Sequence, residues 1–547
     1  MMETRMHTAR KVRSVRPVGT RAVLAELDGM EDVLALQAQL TASPLPGQLD
    51  VLAAAGTVMV VAESASAARA IGARLLELEL GGAAESDSAL VVIDTVYDGE
   101  DLAEVAELTG LGVDGVIAAH TGQLWTVAFA GFAPGFGYMV GENQALEVPR
   151  RSTPRTAVPA GSVALAGNYS AVYPRRSPGG WQLIGRTGAH MWDLDREQPA
   201  LVRPGDRVQY RAVREIVELS APAPAAAAEP ATGIRIVAPG ALSLVQDLGR
   251  RGHGGLGVSA AGALDRSSLR RANRLVGNAL TAAAIETVNG GLTIQAVGDQ
   301  VIAVAGAPSS LTITPPSDAV SGSSNDDGDA GPAAPRTVAM ATPFALLDGE
   351  TLTIGAPQAG FRTYLAVRGG VDALAVLGSR STDTLSGLGP APLAAGQVLG
   401  VGSETESAAV GNPELQPDFP EPGSVTVLDI VPGPRDDWFD PSQLEALCSQ
   451  DWQVTPQSNR VGMRLAGEPL TRSRDGELPS EGTMAGALQI PPAGLPVLFL
   501  ADHPITGGYP VIAVVTDEHL DRAAQVPIGG SIRFRVFPSF ARTSARK

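Results

Sequence analysis

The sequence predicts a mainly β protein with a small α/β subdomain at its N-terminus and two β-barrels in tandem. The first observation is the composition, because 63 glycines and 41 prolines in 547 residues lie between short apolar runs, as turns lie between strands. The second is that residues 1–88 alternate strand-like runs such as "TVMVVAES" with helix-like runs such as "SAARAIGARLLELE". The third is an internal repeat, which indicates two related barrels.

The repeat consists of three glycine-containing motifs that occur in the same order in both halves of the chain. In the first half they are "PAGSVAL" (159–165), "GGWQLI" (179–184) and "PGDRVQY" (204–210). In the second half they are "MAGALQI" (484–490), "GGYPVI" (507–512) and "IGGSIRF" (528–534). The alternative explanation is that unrelated hairpins use the same turn residues.

Changes in composition divide the chain into five segments. They are an α/β subdomain at 1–88, a barrel at 89–220, a Pro/Ala linker at 221–232, a β-rich subdomain at 233–415 and a second barrel at 416–540. Inside the fourth segment, residues 316–336 are polar and low in complexity, which predicts a disordered surface loop. Residues 99–119 predict one helical segment in the first barrel domain.

The composition excludes several classes of function. The net charge is −17 without a basic patch, so a nucleic-acid partner is not expected. The only lysines are Lys11 and Lys547, so the chain has no P-loop motif, no Schiff-base lysine inside a domain and no lysine for covalent biotin. One cysteine rules out an internal disulfide, and six histidines without metal-ligand spacing predict no metal site.

The N-terminus and the hydropathy pattern concern localisation. The first residues are basic but lack the apolar stretch of a secretory signal. No apolar run approaches the ~20 residues of a membrane span. We therefore expect a soluble, cytoplasmic protein without a membrane partner.

The first candidate site lies around "FAGFAPGFGYM" (129–139), where glycines and a proline separate four aromatic rings. A glycine-rich bend can turn backbone N–H groups toward a ligand while aromatic side chains wall a pocket. The candidate residues are Phe132, Gly135, Phe136 and Tyr138. His120 is a candidate acid or base, and we expect it to lie on the strand that leads into this bend.

Further candidates follow along the first half. Arg155 lies on a proline-stiffened loop and suits bidentate recognition of a carboxylate or phosphate, although a solvated loop is the alternative. Gln182 and Arg186 lie on one strand. If both side chains face the barrel interior they need polar partners, which a ligand could supply.

In the second half, "GGLGVSAAG" precedes a helix that is predicted to begin near Ala263 and to stop at Gly277. This loop could present amides to an anion at the start of the helix, or it could be a packing turn. Gln246 and Asp265 flank it.

The remaining candidates are charged residues near glycine turns. Glu286 stands between apolar neighbours, either as an acid or base or as a strand-end residue. Arg460 and Arg464 are close in sequence. Asp502 precedes His503, but adjacent strand residues face opposite sides, so the two are not expected to act as a pair.

These stretches resemble a known family. "GFAPGFGYM", "VPRRSTPRTAVPAGSVALAG" and "SPGGWQLIGRT" resemble the allophanate hydrolase subunit 1 domain, whereas "VQDLGRRG", "LGVSAAGALDRSSLRRANRLVGN", "LGSRST", "PQSNRVGMRL" and "ADHPITGGYPVIA" resemble the subunit 2 domain. The chain thus resembles a fusion of both subunits. The resemblance implies cyclophilin-like β-barrels.

The resemblance also implies one of three functions. Such pairs act as the B and C subunits of ATP-dependent 5-oxoprolinase with a separate A subunit, as the carboxyltransferase portion of urea carboxylase, or as a Kip-type inhibitor pair acting on a histidine kinase. Because this chain lacks a biotin carboxylase, a biotin-carrier lysine and an amidase signature, the oxoprolinase B–C pair fits best. We therefore expect hydrolysis of 5-oxo-L-proline to L-glutamate, with ATP and Mg²⁺, and inactivity without the A subunit.

On this interpretation the acid or base candidates are His120, Glu286 and Asp502. The candidate substrate- or nucleotide-binding residues are Phe132, Gly135, Phe136, Tyr138, Arg155, Gln182, Arg186, Gln246, Asp265, Arg380, Arg460, Arg464, Gly507, Gly508 and Tyr509. Arginines are expected to bind carboxylate and phosphoryl groups, and glycine loops to offer backbone hydrogen bonds. The expected partners are the A subunit and a small lactam or amide, with self-association left open.

One stretch departs from the family pattern. Relatives commonly have Asp-Arg-Gln-Thr-Thr-Gly-Gly-Tyr-Pro where this chain has "DHPITGGYP" from Asp502 to Pro510. The Arg-Gln pair is replaced, and Pro504 removes a backbone donor. If that pair contacts substrate in relatives, this chain has altered specificity or none.

Overall fold

The computed structural model describes residues 10–81, 88–216, 229–316, 334–402, 408–476 and 478–537. Most of the predicted linker (221–232) and of the predicted disordered loop (316–336) lies outside these ranges, so both stay predictions. Within the described ranges, no helix has both the length and the apolar character needed to cross a membrane. These residues form an α/β unit, a first barrel, a β-sandwich and a second barrel.

The N-terminal unit is a four-stranded antiparallel sheet with two helices on one face. Its elements are β1 (Arg10–Lys11), β2 (Ser14–Val18), β3 (Ala22–Glu26), α1 (Met30–Ala42), β4 (Gln48–Ala53), β5 (Thr57–Ala62), α2 (Ala65–Glu77) and β6 (Glu79–Leu80). The sheet order is β2-β3-β5-β4. Val23 and Val60 pack under the helices, whereas Leu24 and Met59 pack against the second barrel. Because both faces are covered, β3 and β5 are almost continuously apolar.

The first barrel has seven strands in the order β14-β11-β12-β9-β8-β15-β7. Its elements are β7 (Leu90–Thr95), α3 (Leu102–Thr109), α4 (Gly112–Thr121), β8 (Trp125–Ala130), β9 (Gly137–Gly141), β10 (Arg155–Val158), β11 (Ser162–Ala166), β12 (Tyr169–Val172), β13 (Ser177–Gly179), β14 (Gln182–Arg186) and β15 (Arg207–Ala212). A bridge between Val96 and Arg186 joins its two edges, so the barrel is nearly closed.

Two local predictions in this barrel were wrong. The predicted single helix is two helices, because Gly110 and Gly112 both adopt left-handed φ values, 69° and 68°, and interrupt it. His120 lies in the last turn of α4, not on a strand, and the strand begins only at Trp125.

The β-sandwich consists of a seven-stranded and a five-stranded sheet. Its elements are β16 (Gly233–Pro239), β17 (Leu242–Gln246), α5 (Arg266–Leu275), β18 (Ala284–Val288), β19 (Leu292–Val297), β20 (Gln300–Gly306), β21 (Ser309–Thr314), β22 (Arg336–Val338), β23 (Phe344–Leu346), β24 (Thr351–Pro357), β25 (Arg362–Val367), β26 (Val371–Asp372) and β27 (Val398–Val401). Isoleucine, valine and leucine side chains from both sheets fill the space between them.

Helix α5 covers the outer face of the five-stranded sheet, and its ends match the prediction from sequence. The side chain of Asp265 caps its N-terminus by accepting from the Ser268 N–H at 2.8 Å. Gly277, with φ of 71°, ends the helix. Leu269 and Leu275 bury the helix against the sheet.

The second barrel is closed, with the order β28-β35-β32-β33-β30-β29-β36. The elements are β28 (Val425–Pro432), α6 (Pro441–Ser449), β29 (Trp452–Val454), β30 (Gly462–Ala466), β31 (Glu481–Gly482), β32 (Ala487–Gln489), β33 (Val497–Phe499), β34 (Thr506–Gly507), β35 (Val511–Val515), α7 (Asp517–Ala523) and β36 (Ser531–Val536). Its interior is packed with apolar side chains.

The two barrels share one topology, as the internal repeat predicts. Taken around the circle, β7, β8, β9, β11, β12, β14 and β15 of the first barrel correspond in position to β28, β29, β30, β32, β33, β35 and β36 of the second. In both, the last strand pairs in parallel with the first. The fold is therefore mainly β with tandem barrels and an N-terminal α/β unit.

The correspondence extends to a single side chain. Trp125 begins β8 and donates its indole N–H to the carbonyl of His120 at 2.9 Å. Trp452 begins β29 and donates in the same way to the carbonyl of Leu447 at 2.9 Å. Each tryptophan thus fastens the preceding helix to its barrel, and Leu447 occupies the position that His120 occupies in the first barrel.

Candidate functional site at the junction of the barrels

Two loops of the first barrel reach the rest of the molecule. The β8–β9 loop contacts the second barrel so closely that a Cβ atom on Gly131 would collide with the hydroxyl of Thr506. This close approach explains the glycine. The connection from β12 to β14 carries Arg175, whose guanidinium lies beside Gly387 of the sandwich.

The equivalent loops of the second barrel converge on the same place. The β29–β30 loop carries Arg460, whose Nη2 donates to the carbonyl of Gly262 in the sandwich at 2.6 Å. The connection from β33 to β35 carries Asp502, whose Oδ2 accepts from the N–H of Thr384 at 2.8 Å. We call the place where these four loops meet the sandwich the junction.

Phe132 occupies a strained turn at the junction. Its φ is 63°, and the Ala133 N–H donates to the carbonyl of Gly131 at 2.6 Å across it. A γ-turn with positive φ is rare, and such a backbone costs on the order of 1–3 kcal/mol. The next glycine, Gly135, ties the loop to the sandwich by donating to the carbonyl of Leu256 at 3.2 Å. A bulky residue held in this conformation by its surroundings is typical of functional sites.

A narrow pocket lies at the junction and is lined by all three units that meet there. Its enclosed volume is only about 10 Å³, which is room for about one water molecule. Its apolar walls are formed by Phe132, Pro134, Leu385, Pro504 and Ile505. Its polar side chains are Ser259, Asp383, Ser386 and His503. Apolar walls with a few convergent polar groups are typical of small-molecule sites, but the space that these walls enclose is far smaller than in such sites.

Asp383 is buried and held in one orientation. Its Oδ1 accepts from the backbone N–H groups of Leu385 and Ser386, each at 2.9 Å. Its Oδ2 accepts from the Ser259 hydroxyl at 2.9 Å. These three donors hold the carboxyl group of Asp383 in one orientation at the pocket wall.

His503 lies opposite, on the β33–β35 connection, and is also buried. Its Nδ1 lies 2.9 Å from the carbonyl of Pro504, and its ring stacks on Phe499 with 5.8 Å between the ring centres. Burial lowers the pKa of His503 below its ordinary value. The imidazole is thus neutral near pH 7.

A buried ion network braces the pocket from behind. Arg460 forms two hydrogen bonds with Asp502, Nε to Oδ2 at 3.1 Å and Nη2 to Oδ1 at 3.0 Å. Its Nη1 donates to Glu286 on the sandwich strand β18. Asp502 also accepts from the Thr384 hydroxyl at 2.7 Å, next to Asp383. The network therefore connects the sandwich, the second barrel and the pocket wall.

Each carboxyl group of this network is paired with the guanidinium of Arg460. Burial by itself would raise the pKa of Glu286, but Arg460 and Arg362 hold it below its usual value. Burial raises the pKa of Asp502 in spite of Arg460. The second oxygen of Glu286 accepts from the Tyr364 hydroxyl at 2.7 Å. Glu286, Arg460 and Asp502, three of the predicted site residues, thus come together, but in the interior rather than at an open surface.

Sequence reasoning did not select four of the junction residues, Asp383, Ser259, Arg175 and Arg250, as site residues. Arg250 is buried, donates only to backbone carbonyls of Val376 and Ser381, and leaves Nη1 without a partner in the described ranges. Burial lowers its pKa. Arg250 and Ser259 are near each other in sequence, but Arg175 and Asp383 are distant from them, so no local pattern could have indicated that the four residues meet.

Of the candidate aromatic residues in segment 129–139, one lines the pocket and two lie in the core. Phe132 lines the pocket, as predicted. Phe136 and Tyr138 were expected at the rim, but they are 1% and 7% exposed and pack edge-to-face with Trp181. The glycines turn these rings inward, toward the space between the barrel and α1.

His120 lies in the interior of the first barrel, away from the pocket walls. Its Nδ1 is 2.7 Å from the Tyr97 hydroxyl and its Nε2 is 2.9 Å from the Ser170 hydroxyl. Burial lowers its pKa to about 3. Its role as an acid or base stays a prediction, and its surroundings are those of a neutral core residue.

Gln182 and Arg186 face opposite sides of β14. Gln182 is buried, whereas Arg186 is exposed and pairs with Asp98 at 2.9 Å. The condition that both face inward is not met, because the register between β11 and β14 shifts by one residue and reverses the alternation. Arg155, half-buried, bonds Asp101 at 2.8 Å.

The remaining candidates do not line the pocket. Gln246 is buried and donates to the carbonyl of Thr382 at 2.9 Å, Asp265 caps α5, and the backbone N–H of Arg380 donates to Asp247 at 2.6 Å. Arg464 and Tyr509 are exposed, and Gly507 and Gly508 are partly exposed. The binding roles of these residues stay predictions.

Comparison with known proteins agrees with this architecture. The model of the family "Carboxyltransferase domain, subdomain C and D" matches residues 13–202, and the model "Carboxyltransferase domain, subdomain A and B" matches residues 256–536. The chain belongs to the carboxyltransferase domain family. The first match ends just before β15, the last strand of the first barrel, and the second begins in the loop before α5, so the pocket at the junction combines residues from both matched regions.

Curated relatives resemble each half of this carboxyltransferase-domain chain separately. The C subunit of 5-oxoprolinase from Escherichia coli (strain K12) is 34% identical over 307 residues, which are 55% of this chain and 90% of that protein. The B subunit of 5-oxoprolinase from Escherichia coli O157:H7 is 44% identical over 131 residues, 23% of this chain and 60% of that protein. The chain is thus similar to a fusion of these two proteins.

A urea amidolyase and one solved structure are also similar to this chain. The urea amidolyase of Lachancea kluyveri is 31% identical over 329 residues, but these cover 55% of this chain and only 16% of that longer protein. A crystal structure of TTHA0988 is 33% identical, with a TM-score of 0.79, and the superposition covers 94% of this chain and 100% of that chain. The whole arrangement of barrels and sandwich therefore recurs in that protein.

Proposed function

We propose that this chain is the B–C component of an ATP-dependent 5-oxoprolinase, which hydrolyses 5-oxo-L-proline to L-glutamate together with a separate A subunit. One observation carries the proposal. Regions similar to the B and C subunits of 5-oxoprolinase occur in a single chain, and both regions contribute walls to one pocket.

The proposed reaction is hydrolysis of a lactam, coupled to cleavage of ATP to ADP and phosphate. Phosphorylation of the lactam oxygen followed by attack of water would open the ring and leave glutamate and phosphate. ATP, as its magnesium complex, is the co-substrate of the assembled enzyme. The task we assign to this chain is to hold the ring and to exclude bulk water around it.

The pocket supports this task in three respects. The side chains of Phe132 and Ile505 belong to the apolar lining, and a flat ring would pack against them once the walls of this narrow pocket move apart. Asp383 and His503 supply fixed polar groups among these walls. The Arg460 network keeps the two sides of the pocket in a constant relation, because a buried pair with satisfied hydrogen bonds resists displacement.

The test is reconstitution with a bacterial 5-oxoprolinase A subunit. The full chain and the A subunit are mixed with 5-oxo-L-proline, ATP and Mg²⁺, and glutamate and ADP are measured. We expect equal amounts of glutamate and ADP, which require both proteins and the lactam. Lack of lactam-dependent ATP cleavage in the mixture would refute the proposal.

A biotin-dependent carboxyltransferase acting on urea or a similar amide is the second candidate. The family models and the urea amidolyase similarity favour it. It predicts transfer of the carboxyl group from a separate carboxybiotin carrier to the amide, measured as labelled carbon in product. A third outcome, binding to a histidine kinase without turnover of either substrate, would instead indicate a Kip-type regulator.

A further inference from the structure

A second and larger space lies between the N-terminal α/β unit and the second barrel. It is a cleft of about 380 Å³ that is open to solvent, and this volume is within the range of small-molecule sites. We call it the arginine cleft, because its lining includes Arg13, Arg16, Arg435 and Arg474. Among the described residues, none lines both this cleft and the junction pocket.

The cleft begins where the packing between the two units changes from apolar to polar. Leu24 and Met59 are partners in the β3–β5 pair, and both pack against the second barrel. Glu26 and Thr57 are the next partners on the same face of the sheet, because alternate residues of a strand share a face. Both of these polar residues line the arginine cleft.

Arg435 closes the bottom of the cleft, and its donors are already used. Its Nε donates to the two carboxylate oxygens of Glu481 at 2.9 and 2.8 Å, and its Nη1 donates to Glu26 at 2.5 Å. All three side chains are buried. This group therefore joins the α/β unit to the second barrel and is not free to bind a further molecule.

Two arginines at the rim are much less engaged. The side chain of Arg13 is 58% exposed, and its guanidinium forms no hydrogen bond with any described residue, since Glu26 and Asp28 are each 3.8 Å away. The side chain of Arg474 is 53% exposed, and of its nitrogens Nη2 alone donates to a described residue, Asp437 at 3.0 Å. Most N–H donors of both guanidinium groups are thus available to a bound molecule.

The charge of the lining favours an anion. The described lining carries four guanidinium groups and three carboxyl groups, so it is positive in a chain whose net charge is −17. A concave surface of one sign concentrates ions of the opposite sign. The planar fork of donors on arginine matches the oxygens of carboxylate and phosphate groups.

Thr57 adds a polar group without a partner to this lining. It is 5% exposed, and its hydroxyl forms no hydrogen bond with any described residue. A buried hydroxyl costs free energy unless it is hydrogen-bonded. An oxygen atom of a bound anion could accept from it.

We propose that the arginine cleft binds a small anion that carries a phosphate or carboxylate group, held chiefly by Arg13 and Arg474. Arg16, whose Nε lies 3.2 Å from Glu26, adds positive charge between them and the buried Arg435. The proposal does not depend on the proposed function, because it concerns a different cleft and binding by this chain alone.

The test is calorimetry on the full chain without the A subunit. The probes are inorganic phosphate, pyrophosphate and succinate, each titrated at constant ionic strength because salt screens exposed charges. The variants are Arg13→Gln and Arg474→Gln, which remove one rim charge each. Arg69→Gln is the matched control, because Arg69 is an exposed arginine of the same α/β unit on α2, which packs on the opposite face of the sheet.

We expect saturable binding of at least one probe with one site per chain. Tighter binding of the two phosphate probes indicates a phosphate-bearing ligand, and tighter binding of succinate indicates a carboxylate. Each rim variant should weaken binding about 10-fold or more, because a charge-assisted hydrogen bond is lost, whereas Arg69→Gln should stay within about twofold. Absence of saturable binding of all three probes, or an affinity that either rim variant leaves unchanged, would overturn the inference.

Both rim arginines are half exposed, so the variants should fold, which circular dichroism checks. If one does not fold, the ¹⁵Nε resonances of the unaltered protein decide. Those of Arg13 and Arg474 must shift as the anion is added, while that of Arg69 must not. Unshifted resonances of the two rim arginines would equally overturn the inference.

Discussion

The two barrels use equivalent loops for different purposes. In the first barrel the β8–β9 loop places Phe132 in a strained turn at the pocket wall. In the second barrel the equivalent β29–β30 loop places Arg460 in a buried ion network behind the pocket. A repeated topology therefore does not require repeated chemistry, because this loop forms part of the pocket wall in the first barrel and supports the wall from behind in the second.

The largest expected effect concerns Arg460 in the buried ion network of the second barrel. Replacing Arg460 by Met leaves Glu286 and Asp502 as buried carboxylates without their main cation. We expect a loss of about 3–5 kcal/mol in the free energy of unfolding, measured by chemical denaturation. Arg464→Met, at an exposed arginine on β30, should change it by less than ~0.5 kcal/mol. Similar losses in both variants would show that the network does not stabilise the junction.

The next prediction compares the stability effects of replacing Phe132 and Phe136, the two phenylalanines of the β8–β9 loop. Phe136→Ala should cost about 3–5 kcal/mol of stability, because the ring is 1% exposed among other aromatic rings. Phe132→Gly should cost about 1 kcal/mol or less, because release of the strained φ offsets part of the lost packing. Thermal denaturation measures both. A greater loss in Phe132→Gly would reverse the assignment of core and wall.

The last effect concerns His120, in the helix that Trp125 anchors to the first barrel. The pKa of His120 is about 3 in the folded chain and near 6.5 when unfolded, so the unfolded state binds more protons between these values. Stability should therefore fall by a few kcal/mol as the pH drops from about 6.5 toward 3. His120→Leu copies Leu447 of the second barrel and should remove this part of the pH dependence.

Denaturation curves at pH 7 and pH 4.5 test this point, with His190→Leu at an exposed position as the control. The difference in stability between the two pH values should shrink in His120→Leu and stay the same in the control. An unchanged difference in both would mean that His120 is not a neutral core residue.

Much of the architecture could be predicted from the sequence. Glycine-punctuated alternating runs and the repeated motifs indicated two related β domains, and the Asp265 cap with Gly277 bounded α5. These features are local, since turn and cap residues act within a few positions of themselves. The alternation of strand-like and helix-like runs in residues 1–88 is also a local feature of the sequence.

Only part of the candidate site could be predicted from the sequence. Gln182 and Arg186 were expected on one face, but a register shift in β14, which depends on its partner strand, reversed them. The local sequence does not distinguish Phe132 from Phe136. In the structure they differ through the positive φ of Phe132 and through the contact of its neighbour Gly131 with Thr506 of the second barrel. Asp383 and His503 meet only through tertiary packing of distant segments.

The most direct test of the account is the rate of lactam-dependent ATP cleavage in Phe132→Gly, assayed with the A subunit. If the junction pocket is the site, kcat/KM should fall by about 100-fold, because a misplaced wall disturbs the bound geometry. Folding should be nearly unchanged, and Arg211→Ala, at an exposed residue of the same barrel, should stay within about twofold of the unaltered protein. A folded Phe132→Gly variant with the full rate would contradict the account.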